Sequence, residues 1–153
     1  MFEEILGLPA HPLIIHATVV LTPLLAVLAT VYALAPRTRA ALRWAVLGLA
    51  VTAPLATLAA RQSGIALKEG RFSSVEGTLG GRIAEHEAFG TPLTLAVAGL
   101  GLVSLALVQV LRAERHSRPV TLVLTVLTVL LAAAVVYYAV RAGHSGAAAV
   151  WGS

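Results

Sequence analysis

From Leu13 to Leu34 the chain carries no charged side chain. An uncharged apolar run of that length crosses a bilayer's hydrocarbon core, which needs about 20 residues in a helix. Three more runs follow: Trp44 to Ala60, about Ala88 to Leu111, and Pro119 to Val140. The second is short, and spans only if Arg43 and Arg61 snorkel to the interfaces. The runs are continuous and do not alternate, which predicts helices and not barrel strands. The expected fold is all-α and integral to the membrane, one domain over residues 1–153. Its four transmembrane helices are expected at about 12–35, 40–60, 84–112 and 119–142.

Composition supports this class and removes others. The chain is 58% hydrophobic and 12% charged, outside the soluble range. It has no cysteine, so disulfides, iron–sulfur clusters and thiolate metal sites are excluded. The acidic start, Glu3 and Glu4, lacks a signal peptide's basic region, so the first run is expected to remain as a span. The net charge of +4 reports topology here and not nucleic-acid binding. Arg37, Arg39 and Arg43 fall in one short connection, and Arg112, Arg115 and Arg118 in another. The positive-inside rule makes both cytoplasmic, so both termini and an outer loop at 61–83 lie on the other side. That loop is mixed in charge and rich in glycine, long enough to form a lid beginning at Ser63 and Gly64. Short connections give an up-down-up-down bundle. No internal repeat stands out. The expected location is the bacterial cytoplasmic membrane, multi-pass.

Four of five histidines map to the outer side. His11 and His16 open the first helix around Pro12, which suits a first helical turn. His86 opens the third helix and His144 follows the fourth, while His116 falls in an arginine-rich loop and is expected to be solvated. His11 and His16, five apart, point about 140° from one another on a continuous helix. His16 lies inside the uncharged run, where an imidazole needs a partner, and is expected to be the least replaceable. Glu87 has two roles open to it: a site ligand, or an acidic residue complementing the helix dipole.

Pro9-x-His11-Pro12-Leu13-x-x-His16-Ala17 followed by Pro23 resembles the opening of a bacterial membrane family catalogued as domain of unknown function 2231. Pro54-Leu55-Ala56-Thr57 with Ser63-Gly64, Glu85-His86-Glu87 with Gly90, and Gly143-His144-Ser145-Gly146 through Trp151 are similar to its actinobacterial form. The resemblance covers nearly the whole chain. It implies that His11, His16, His86 and His144 are motif positions. Related domains are joined in some proteins to Rieske or cytochrome modules, which implies redox work.

Three functions are compatible with these residues. One is b-type haem between histidines of facing helices, with His16 and His86 as the expected axial pair and His11 and His144 as further cofactor-binding residues. Such a protein carries electrons at the outer face, with a quinol or another redox partner. The second is zinc or copper held by His11, His16, His86 and His144, with Glu87 as ligand or tautomer-fixing acceptor. The third is a structural accessory subunit packed in a larger membrane complex or homo-oligomer. A carrier or binding protein is favoured over a turnover enzyme.

Overall fold

A computed structural model describes residues 4–5, 7–113 and 117–152. A two-residue antiparallel bridge, β1 (Glu4–Ile5) with β2 (Leu8–Pro9), turns at Gly7. Four helices follow: α1 (Ala10–Leu34), α2 (Arg39–Arg71), α3 (Gly77–Arg112) and α4 (Arg118–Trp151). All four are long and apolar enough to cross a membrane. Each packs on its neighbours in the order α1-α2-α3-α4-α1, while α1 and α3 face one another across the diagonal with sparse contact.

The core is made of small side chains. Ala26, Ala29, Ala50, Ala53, Ala96 and Ala132 are buried beside Leu25, Val97, Leu100 and Val135. With lipid outside as apolar as the core, close backbone approach does the packing. At Gly101 a Cβ would meet the Ala50 carbonyl oxygen at 2.5 Å, so only glycine permits that α2–α3 crossing. The outward face is also apolar: Leu95, Leu102 and Leu130 are 68%, 69% and 61% exposed. A helix hydrophobic on every side belongs in a bilayer. Several hydroxyls are satisfied within their own helix, as when Thr22 donates to Thr18 O and Thr57 to Ala53 O.

The ends differ from the sequence expectation. The segment expected as an outer loop at 61–83 is mostly helix, because α2 continues to Arg71 and α3 begins at Gly77. At 1.5 Å per residue, the 33 residues of α2 and 36 of α3 each run about 50 Å, well past a hydrocarbon core of about 30 Å. Charges from Arg61 onward interrupt the apolar run but not the helix. The true break is at residues 72–76, where Gly77 takes φ 71° and a Cβ at Gly80 would meet Val75 O at 2.6 Å. Ser63 and Gly64 are therefore helix wall and not lid. The fourth helix likewise runs beyond 142 to Trp151.

At the opposite end Arg39 reaches back to the open end of α1, donating from Nε to Tyr32 O (3.0 Å) and from Nη2 to Ala33 O (3.0 Å). It satisfies two carbonyls that a helix terminus leaves without partners. The connections carrying Arg37 and Arg112 lie at this end. The α2–α3 turn and the chain's described termini lie at the other, with the histidines. Arg115 and His116 fall outside the described residues.

Candidate functional site

Two histidines meet across the diagonal. The ring centroids of His11 on α1 and His86 on α3 are 6.2 Å apart, with planes at 71°. Each ring is held by the other helix of its own hairpin. His11 Nδ1 lies 2.9 Å from Ala60 O and 3.2 Å from Ser63 Oγ. His86 Nδ1 lies 3.0 Å from Ala142 O and 3.3 Å from Ser145 Oγ. A carbonyl oxygen can only accept, so Nδ1 carries the proton in both rings. In the neutral imidazole Nε2 then keeps its lone pair. Neither Nε2 has a hydrogen-bond partner among the described residues. Ser63 and Ser145 are buried, and each also donates to the same carbonyl as its histidine. The glycine after each serine lets the ring lie against the helix. A Cβ on Gly64 would sit 3.0 Å from His11 Cε1, and one on Gly146 would sit 3.0 Å from His86 Cε1.

The site is thus one arrangement used twice: a histidine on the first helix of a hairpin, and Ala-x-x-Ser-Gly on the second. Ala60, Ser63 and Gly64 match Ala142, Ser145 and Gly146 at the same spacing. The cavity around the rings, of about 1090 Å³, follows the same register. On α1 it is lined by His11, Pro12, Ile15, His16, Thr18 and Val19, and on α3 by His86, Glu87, Gly90, Thr91, Leu93 and Thr94. On α2 the lining is Ala60, Arg61, Gly64, Ile65, Leu67 and Lys68, and on α4 it is Ala142, Gly143, Gly146, Ala147, Ala149 and Val150. Both hairpins point the same way, the parallel type of membrane repeat, with the site where the halves meet. The absence of an internal repeat expected from sequence is corrected here. The two hairpins agree in identity at the residues that hold the rings and differ at most of the other lining positions.

The remaining candidates stand outside this pair, although His16 and Glu87 line the same cavity. His16 is exposed and bonds through Nδ1 to Pro12 O at 2.6 Å, so the pair across the diagonal is His11–His86 and not His16–His86. Helix α1 starts at Ala10, which puts His11 in its first turn, and the five-residue step carries His16 to another face. His144 is exposed. Glu87 is ion-paired with Lys68 at 2.5 Å, and Glu85 faces Arg141 at 3.7 Å. Among the described residues no group of three or more histidine or acidic side chains gathers to hold a metal ion. Sequence reasoning missed the acceptors Ala60 and Ala142 and the cavity residue Arg61. The doubled Ala-x-x-Ser-Gly was the available signal.

A comparison with curated proteins and one with solved structures each found no match. A family model described as a predicted membrane protein does match, over residues 7–153. With four candidate spans and a match across almost its whole length, the chain belongs to the predicted membrane protein family DUF2231.

Proposed function

We propose that this membrane protein binds b-type haem between His11 and His86 and serves as an electron carrier. The observation that carries it is the spacing of two imidazoles whose tautomers are already fixed. Two nitrogens on opposite sides of one metal, at about 2 Å each and about 1.2 Å from their ring centres, put the centroids about 6.4 Å apart. The observed separation is 6.2 Å. Two ligands of a tetrahedral zinc would bring the centroids to about 5.2 Å with the same bond lengths. Zinc or copper in a four-histidine cluster would also need His16 and His144, which are exposed. A bound haem would supply one-electron chemistry, with its potential tuned by axial ligands and burial. The chain's own part is to present the two Nε2 atoms, hold their rings through Ala60 O and Ala142 O, and surround them with a mostly apolar cavity. That second-sphere hydrogen bonding raises ligand basicity and fixes ring orientation.

The cavity lies at the end away from the Arg37 and Arg112 connections. The positive-inside rule supports placing it on the outer side of a bacterial cytoplasmic membrane, within reach of a quinol or an extracytoplasmic redox partner. The test is haem content per polypeptide, by absorbance of detergent-purified protein. His11→Ala and His86→Ala should each lose the Soret band, while His16→Ala and His144→Ala retain it. Full retention in both of the first two would defeat the proposal. A colourless, metal-free wild type would leave the accessory-subunit role.

A further inference from the structure

The repeat is broken in one respect: its two seams differ in polarity. Between α2 and α3, Arg61 Nε donates to Thr91 Oγ1 at 3.1 Å, and Lys68 pairs with Glu87 at 2.5 Å. By the register of the repeat, the matching places between α4 and α1 hold Gly143 with His16 and Val150 with Pro12. Gly143 has no side chain and Val150 no polar atom, so neither can repeat those bonds. Arg61, Lys68 and Arg71 all line the cavity from one face of α2, at steps of seven and three residues, spread over about 15 Å of helix. On α4 the places matching Arg61 and Lys68 hold Gly143 and Val150. The one carboxylate among the lining residues is Glu87. The two terminal nitrogens of Arg61 have no hydrogen-bond partner among the described residues.

A cavity with one cationic wall and one apolar wall selects a ligand with one anionic edge. We infer that the α2–α3 seam, led by Arg61 with Lys68, binds the two carboxylates of the tetrapyrrole, with its uncharged edge turned to α4 and α1. The inference rests on the haem proposal and deepens it. The histidines alone, being two copies of one arrangement, give a planar ligand no preferred rotation. The seam supplies it. Arginine's planar fork suits carboxylates, and charge-assisted hydrogen bonds in a cavity are stronger than neutral ones.

The test uses the full-length protein, freed of any ligand and purified in detergent, and two probes: haem b and its dimethyl ester, in which both carboxylates are masked. Binding is read by Soret titration. In wild type the ester should bind at least about tenfold more weakly than haem, the scale of one charge-assisted hydrogen bond. Arg61→Gln should weaken haem by a similar factor and leave the ester unchanged, closing the gap; Arg61→Lys should restore part of it. Lys68→Gln should narrow the gap less, because Glu87 already engages that ammonium. Equal binding of haem and ester by wild type would overturn the seam inference and leave axial ligation by His11 and His86 intact. A gap that persists unchanged in Arg61→Gln and Lys68→Gln would also overturn it. Failure of both probes to bind would overturn the haem proposal itself.

Discussion

Gly146→Ala should cost the site far more than its size implies. A Cβ at residue 146 would stand 3.0 Å from His86 Cε1 and 3.2 Å from Nδ1. Carbon atoms prefer about 3.5–4.0 Å, so the ring must retreat by roughly half an ångström. It has little freedom to do so. Nδ1 is held at 3.0 Å by Ala142 O on one side, and the His11 ring packs edge-on nearby. A half-ångström retreat takes the Nδ1–O distance to about 3.5 Å, the outer limit of a hydrogen bond, and forfeits about 0.5–1.5 kcal/mol, since Ser145 Oγ still donates to that carbonyl. That corresponds to about 2- to 12-fold in affinity for whatever Nε2 binds, since a factor of ten is about 1.4 kcal/mol. Gly143→Ala is the control, because nothing lies within 4 Å of its Cβ. In an exposed helix interior it should stabilise by up to about 1 kcal/mol. Two measurements apply: Soret titration of both variants, and nitrogen-15 NMR of the His86 ring, which distinguishes an Nδ1–H from an Nε2–H tautomer without any ligand. If Gly146→Ala matches Gly143→Ala in both, the carbonyl does not hold the ring and the reasoning fails.

Other consequences can be checked in the same preparations. Ser63→Ala and Ser145→Ala remove the second acceptor of each Nδ1–H but keep the carbonyl, so each should weaken haem binding by only about 0.5–1.5 kcal/mol, visible as a small shift of the titration midpoint. Arg39→Ala should uncap α1 at Tyr32 O and Ala33 O and lower the thermal midpoint in detergent while haem stoichiometry stays at the wild-type value. Cysteines placed at Thr38 and Ser117 should be shielded from a membrane-impermeant thiol reagent in intact cells; labelling of either would reverse the proposed orientation. With the imidazole planes at 71°, the oxidised holoprotein should give a low-spin, strongly anisotropic electron paramagnetic resonance signal, and a rhombic signal of near-parallel planes would contradict that angle.

How much was legible in the sequence depended on what each residue had to satisfy. Uncharged runs revealed the four spans, because lipid tolerates few alternatives to an apolar helix. The diagonal placement of α1 and α3 followed from short connections. Helix ends were misjudged at Arg61 and near 84, since charge interrupts the apolar run and only the Phe72–Gly77 break ends the backbone pattern. The site was half legible. His11 and His86 were both named, but His16 drew the weight, because depth in an apolar run was taken as need for a ligand. In fact Pro12 O, one turn back, supplies its partner. Ala60 O and Ala142 O were invisible, because a backbone carbonyl has no sequence signature; only the paired Ala-x-x-Ser-Gly points to them.

The doubled hairpin also sets a schedule for biosynthesis. His11 acquires its carbonyl when α2 has formed, and His86 acquires its own only when α4 has followed α3. Each imidazole is therefore oriented within its own hairpin, before the hairpins meet. The pair comes into being at their docking, and a nascent chain stalled before α4 presents one oriented imidazole and not two. If the proposed ligand is bound, its capture waits for α4, and a polypeptide truncated ahead of Ala142 should stay empty.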